Sequence, residues 1–448
     1  MSKPTFASVI KSRGFKYLWI NQVLMQLAVN TLNFALIIWV FKLTDSNFAV
    51  SALILAVYLP AFAFGLISGV FVDKADKRKL IILLDILFAA AFFVFPFIRK
   101  SYPLILINTF FINSLSQFFT PAESSSIPML VKKAELFVAN SLFSLTLYGS
   151  FMIGYTIAGP ILNLYSISPI FYMGGILLLL GSFFSSKLPP LKVVRPEIPS
   201  GGLVNLIKSE TGQTFGFIRS KLPVATSIGL LAGMQGVIGV LAVLMPSYME
   251  RVLKVHATDA SLYLMLPLGL GMVIGAFVIG RFFQTFPRRF LVIPSIILGG
   301  ILLFGMGVAP DVARALDATA LPHRIRHLRY FFNAPSLASS FALGAFLSGL
   351  VAAAIIIPSQ TILQESTNDQ NRGKIFAVLA VLMNMFAAVP VILAGGLADI
   401  FGVTPIFIVI GVIIMIVGLL VLWPGTFFKE QRLPLSVKEF LGLGHWSK

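Results

Sequence analysis

The segment Gly65-Leu-Ile-Ser-Gly69-Val-Phe-Val-Asp73-Lys-Ala-Asp76-Lys-Arg-Lys79 closes one apolar run, turns within a few charged residues and opens another. Upstream, residues 48–64 hold no charged side chain, and downstream the run from Leu80 to Ile98 holds only Asp85. Each run is long enough for the ~20 residues a membrane-crossing helix needs. Lys74, Lys77, Arg78 and Lys79 crowd the turn, as cations do on the cytoplasmic side of a membrane hairpin. Gly65 and Gly69 stand four apart, a small-residue spacing that brings helices close in lipid.

The rest of the chain repeats this pattern. Of 448 residues, 57% are hydrophobic and 11% charged, and the mean hydropathy is +0.93. That balance excludes a soluble domain, and long unbroken apolar runs exclude the ~10-residue alternation of a membrane barrel. Hydropathy predicts spans at 15–43, 48–73, 79–99, 103–121, 136–163, 168–186, 222–250, 258–284, 288–309, 336–365, 374–401 and 404–424. The expected fold is an all-α membrane protein of twelve transmembrane helices in two six-helix pseudo-repeats. One bundle covers 1–186 and the other 222–424. A linker at 187–221, marked by Pro189-Pro190, Pro196, Pro199 and Gly201-Gly202, joins them, and a tail follows at 425–448.

Lys and Arg total 34 against 17 Asp and Glu, a formal charge of +17. With the N-terminus inside, most cations fall in inner loops, so the excess reflects topology and anionic lipid headgroups rather than nucleic acid. Both termini are then expected in the cytoplasm and the protein in the plasma (inner) membrane. The basic N-terminus runs into a long span without a small-residue cleavage site, which reads as a retained first helix. One stretch, 310–335, opposes the charge rule by placing Arg314, Arg324, Arg326 and Arg329 outside; its apolar residues suit an amphipathic surface segment.

The two halves echo each other. Gly271-Met-Val-Ile-Gly275 precedes Arg281 and Pro287-Arg288-Arg289 as Gly65 to Gly69 precedes the first basic turn. Pro121-Ala-Glu123 and Pro358 to Glu365 each set a proline and a carboxylate near an inner helix end. Parallel six-helix repeats with the ligand site between them are one construction of secondary transporters.

These residues carry a family resemblance. Gly69-x-x-x-Asp73-Lys74-x-Asp76-Lys77-Arg78-Lys79 resembles the signature of the major facilitator superfamily, with Asp76 where a glycine is usual. Phe119-Thr-Pro121-Ala122-Glu-Ser-Ser-Ser-Ile-Pro128, then Ala139-Asn140-Ser141, is similar to the drug:proton antiporter branch that holds macrolide-efflux and enterobactin-exporter permeases. So is Gln360 to Glu365 followed by Arg372-Gly373-Lys374. The resemblance implies a proton-coupled exporter of a small amphiphilic compound working by alternating access. It implies a gate at Gly69, Asp73, Lys77, Arg78 and Arg372, and at Gly159-Pro160, which resembles the exporters' fifth-helix motif. On physical grounds, Asp73 suits the positive N-terminus of the eleventh helix across the pseudo-twofold. Lys77 and Arg78 could pair with Glu365 or Asp85.

Polar groups inside spans are functional candidates. Gln22, Gln26, Asn30 and Asn33 lie on one face of the first helix. Asn113 and Gln117 repeat that spacing, and Tyr148, Gln235, Gln360 and Asn384 add polar groups elsewhere. Gln26, Asn30, Asn33, Asn113, Gln117, Tyr148, Gln235, Gln360 and Asn384 are the candidate substrate-cavity residues. Amides also serve as interhelical hydrogen bonds, so either use is open. Among carboxylates, Asp85, Glu123 and Glu365 are candidates for proton coupling, and Asp85 is equally suited to a structural ion pair with the basic turn.

Other classes find little support. No phosphate-binding loop is present, which argues against a primary pump. No nucleophile, base and orienting group gather, so an enzyme is not expected, nor a cofactor. His323 and His327 are too few for a metal site, and cysteine is absent. A sensor on the same fold would need a further signalling domain. The chief rival is a lysophospholipid or other lipid flippase of the same fold. The expected partners are an amphiphilic small molecule, membrane lipid and protons, with the protein a monomer.

Overall fold

The computed structural model describes residues 9–132, 135–191, 222–283, 289–318, 334–365 and 369–422. Among them are twelve α-helices and no strand. The first six are α1 Arg13–Thr44, α2 Asn47–Lys74, α3 Lys77–Ile98, α4 Tyr102–Leu130, α5 Leu136–Tyr165 and α6 Ser168–Ser185. The second six are α7 Leu222–Ser247, α8 Leu266–Phe282, α9 Arg289–Ala318, α10 Ala334–Glu365, α11 Asp369–Phe401 and α12 Val403–Leu422. Residues 192–221 of the linker and residues from 423 onward lie outside the described residues.

Eleven of the helices are long and apolar enough to cross a membrane. The protein is a multi-pass membrane protein, and Phe97, Ile107, Phe277 and Ile413 stand exposed on its flanks, as lipid-facing residues do. The exception is α4. Its 29 residues span ~43 Å at ~1.5 Å each, but it carries Asn108, Thr109, Asn113 and Glu123. All four are buried, which tertiary contact permits and lipid would not.

Short turns stack the helices as antiparallel neighbours. Between α1 and α2, Asp45 takes a left-handed conformation (φ 49°) and its N–H donates to Phe41 O at 2.7 Å. Ser46 then caps α2 by accepting from the Ala49 N–H. Asp76, at the position where the family signature has glycine, caps α3 by accepting from the Arg78 and Lys79 N–H groups. Gly402 (φ 85°) makes the whole turn from α11 to α12, where a side chain would be strained.

Several expected boundaries are corrected. The fourth span does not end at 121: α4 runs through Pro121 and Pro128 to Leu130. The ninth span does not end at 309: α9 runs through Pro310 to Ala318, so the first part of the supposed surface stretch continues the helix. Exposed Arg314 and Asp311 pair there, one turn apart. Residues 319–333, with Arg324, Arg326, Arg329, His323 and His327, lie outside the described residues. The seventh span extends beyond 250 as a π-helical turn, Tyr248–Val252, after Pro246. A proline removes one backbone donor, and wider turns absorb the displaced carbonyl.

Within the first six helices, α1 packs on α5 and α6, α3 on α4 and α6, and α2 on α4. Within the second six, α7 packs on α10 and α11, α8 on α10, and α9 on α10 and α12. Phenylalanines fill the first group, with Phe95 stacked on Phe171 at 4.9 Å between ring centres. Tyr248, Phe341 and Phe407 fill the second, and the Tyr248 hydroxyl donates to Met306 O at 2.7 Å. One face of the bundle, here the basic face, holds the ends at Arg13, Lys74, Lys77, Leu136, Ser185 and Leu222. The far face holds those at Thr44, Asn47, Ile98, Tyr165, Ser247 and Phe401.

Candidate functional site: the interface between the two helix groups

The amides of the first helix divide between two uses. Gln22, nearest the basic face, is buried and donates to Phe143 O of α5 at 3.2 Å, a bond between helices. Gln26, Asn30 and Asn33 are partly buried, and Asn30 donates to Gln26 at 3.4 Å. On α4, Asn113 is buried and bonds back to Thr109 O at 2.9 Å, and partly buried Gln117 bonds back to Asn113 O. Gln360 and Asn384 are partly buried on α10 and α11. Gln235 of α7 donates to the Tyr58 hydroxyl of α2 at 3.3 Å, so it joins the two groups directly. The Tyr148 side chain lies outside the described part of the structure.

Two tyrosines that the sequence did not single out lie on the helices carrying or facing these amides. Tyr155 of α5 packs on Phe34 of α1 (5.2 Å) and on Phe151 (4.2 Å). Tyr58 contacts Gly239 of α7: a Cβ there would lie 3.4 Å from its hydroxyl. Nothing in spacing separates these tyrosines from the aromatic residues that pack between helices or face lipid.

Toward the far face the groups are sewn together. Asp399 of α11 accepts four hydrogen bonds at the start of α2: from Ser46 Oγ (2.6 Å), Asn47 N (2.8 Å), Asn47 Nδ2 (2.8 Å) and Phe48 N (3.1 Å). A carboxylate at a helix N-terminus meets unpaired N–H groups and the positive end of the helix dipole. One turn away, Ser51 donates to Val391 O at 2.8 Å, and Gly395 admits Ser51 and Asn47 so closely that any side chain there would collide. Arg251 pairs with Asp45 at 2.7 Å. Asn163 of α5 bonds to Asp259 and Thr258, and Gly159 lies against Ser261 and the Thr258 carbonyl with no room for a Cβ.

A Cβ on Gly149 of α5, Gly69 of α2, or Gly229 and Gly233 of α7 would meet nothing within 4 Å, and these glycines lie nearer the basic face than the closures just described. The hydrogen bonds described between the two groups lie at the far face and midway along the helices. Gly395-Gly-Leu-Ala-Asp399 has the same Gly-x-x-x-Asp spacing as Gly69 to Asp73. That echo was legible in the sequence and locates the far-face closure.

The described bonds of the basic turn stay within the first helix group. Arg78 donates to the Ser186 carbonyl and the Lys77 N–H to Leu191 O, both beyond the end of α6 in the same helix group. Asp85 accepts from Asn21 Nδ2 at 2.9 Å and Ser185 Oγ at 3.4 Å, with neither donor in the basic turn. It is fully buried among α1, α3 and α6. Glu123 is buried on α4. The side chains of Asp73, Glu365 and Arg372 lie outside the described part, and Pro160 sits inside α5 beside Gly159.

The family model for the Major Facilitator Superfamily matches residues 18–321 and 328–442. The chain belongs to the Major Facilitator Superfamily. Along most of its length it is similar to a major facilitator type transporter, YfiS of Bacillus subtilis, with 22% identity over 90% of each chain. It is 30% identical over 126 residues to macrolide efflux protein A of Streptococcus pyogenes, about a third (31%) of that protein and 27% of this one. Among solved structures the fold matches the nucleoside transporter NupG with a TM-score of 0.68 and 10% identity, covering 91% of this chain and 99% of that one. At that identity the likeness concerns the fold alone. This major facilitator protein is a transporter, a kind of function other than enzymatic catalysis.

Proposed function

We propose that the protein is a secondary transporter that exports a small amphiphilic compound from the cytoplasm in exchange for protons, by alternating access. The basic face is the cytoplasmic one, and the described conformation opens toward it. The observation that carries this reading is the gradient along the interface. Hydrogen bonds and helix contact close it at the far face, amides and tyrosines line its middle, and it is open beside Gly69, Gly229 and Gly233. A ligand entering from the basic face would meet Gln26, Asn30, Asn33, Gln117, Gln235, Gln360 and Asn384, with Tyr58 and Tyr155 at the deep end.

The opposite conformation follows from the repeat. Asp399 closes the far face by capping α2, and Asp73, at the same spacing after Gly69, closes the basic face by capping α11 near Arg372. Each latch releases as the other forms, which is the bistability a rocking mechanism requires. Export as the direction draws support from the likeness to macrolide efflux protein A and from Gly159-Pro160 in α5.

The test uses inside-out vesicles containing the protein and an imposed proton gradient. A hydrophobic cation, a macrolide, a catecholate siderophore and a lysophospholipid are offered in turn. Gradient release by one of the soluble compounds is expected. Movement of lysophospholipid alone, indifferent to the gradient, would overturn the reading in favour of a lipid flippase.

A further inference from the structure

Within the first helix group, away from the interface, four polar side chains meet in an apolar core. Asp85 of α3, Asn21 of α1 and Ser185 of α6 are fully buried, and Glu123 of α4 is nearly so. Their hydrogen bonding is incomplete in a specific way. Asn21 Nδ2 donates both to Asp85 Oδ2 (2.9 Å) and to Ser185 Oγ (2.6 Å), and the Ser185 hydroxyl donates to Asp85 Oδ2 (3.4 Å). Every donor of the cluster is therefore committed to one side. The other carboxylate oxygen, Asp85 Oδ1, has no partner, nor has the amide oxygen Asn21 Oδ1, nor Glu123 Oε1. Buried acceptors without donors are rare in folded proteins.

The two orphaned oxygens of Asp85 and Asn21 face the same gap. Gly181 of α6 leaves it open: a Cβ there would lie 2.5 Å from Asn21 Oδ1 and 3.9 Å from Asp85 Oδ1. The amide orientation is settled by its neighbours, because exchanging Oδ1 and Nδ2 would set Asn21's acceptor against Asp85 Oδ2. Both oxygens are acceptors, and among the described residues no donor reaches either.

We propose that Asp85 Oδ1 is a proton-binding site, closed in its protonated form as a cyclic acid–amide pair with Asn21. The proton comes from water and adds to Oδ1, and no other bond is made or broken. The O–H then donates to Asn21 Oδ1 while Asn21 Nδ2 donates to Asp85 Oδ2, so one proton satisfies both orphans and removes a buried charge. Glu123, buried on α4, is the further carboxylate in this core. The elements α1 and α6 present Asn21 and Ser185. Lys77 lies two turns earlier on α3, and Lys187, past the end of α6, is turned onto the rings of Tyr17, Phe183 and Phe184. The site ties α1, α3 and α6 together, so gain or loss of its proton reaches the helix that carries Gln26, Asn30 and Asn33. Use of this proton as the coupling ion rests on the exporter reading above; its binding does not.

The experiment is a pH titration of the purified full-length protein by infrared difference spectroscopy, reading the carbonyl stretch of protonated carboxyl groups. The wild type is expected to show a titrating band that is absent in Asp85→Asn and shifted in pH in Asn21→Ala. Asp85→Asn keeps the shape and charge of the protonated acid, so its fold is expected to survive. A band that persists unchanged in Asp85→Asn would assign the proton to Glu123 and overturn the proposal. So would a band abolished at fixed pH by sodium but not by potassium, which would make the cluster a metal-cation site. Silence in the vesicle assay leaves this spectrum untouched, so failure of the exporter reading and failure of the proton site are told apart.

Discussion

Replacing Asp399 by alanine removes the carboxylate that closes the far face. Four hydrogen bonds from Ser46, Asn47 and Phe48 are lost, together with the pairing of a negative charge with the α2 N-terminus. Asp399 is exposed, so water takes over the freed donors and each bond is set at the low end, ~0.5 kcal/mol. Together the four bonds remove about 2 kcal/mol from the far-closed state, before any contribution from the helix dipole. That is a ~30-fold shift toward far-open, at tenfold per ~1.4 kcal/mol. The chain contains no cysteine, so label sites can be introduced without background. Lys100→Cys in the α3–α4 turn and His256→Cys ahead of α8 place exposed spin labels on the far face, one in each helix group. Electron double resonance in proteoliposomes should show a longer-distance population growing in Asp399→Ala. An unchanged distance distribution would refute the latch and the closure derived from it.

Gly159→Val should also favour the far-open state, because Ser261 and the Thr258 carbonyl occupy the space of its Cβ; the same label pair reads it. Arg251→Gln should shift the distribution far less, by ~0.5 kcal/mol or under, since the pair with Asp45 is 43% and 79% exposed. That small effect should vanish in high salt, where exposed charges are screened. Asp73→Asn should lower transport in the vesicle assay with normal membrane insertion, and full transport would remove Asp73 from the gate. Gln235→Leu breaks the bond to Tyr58 and should alter the KM for an exported compound more than the amount of protein in the membrane.

The fold was largely legible because lipid imposes a simple rule. Every crossing segment must be apolar and must satisfy its own backbone, so hydropathy locates helices that local propensity alone would blur. It failed at helix ends, where α4 runs through Pro121 and Pro128 to Leu130 and α9 runs past Pro310 to Ala318, because a proline bends a helix without ending it. At the candidate site, the stripe Gln22 to Asn33 was visible as a face, but its division was not. Gln22 bonds to α5, whereas Asn30 bonds to Gln26 one turn back while lying against Gly154 of α5, a difference set by which groups stand opposite.

The carboxylates show the same limit. Sequence placed Asp85 six residues past Lys79 and made an ion pair with the basic turn a fair expectation. Its bonds run instead to Asn21 and Ser185, 64 and 100 residues away. The sequence shows Asp399 as a carboxylate near an outer helix end, at the same spacing after Gly395 as Asp73 after Gly69; that it caps α2 depends on a contact across 352 residues. By itself, the sequence determined the membrane class, the helical architecture and the superfamily, because hydropathy and the Gly69 to Lys79 signature are local. Only the tertiary structure decided which polar groups pair, where the two helix groups are joined and which buried oxygens lack a hydrogen-bond partner. Those depend on side chains far apart in the chain being brought within about 3 Å of each other.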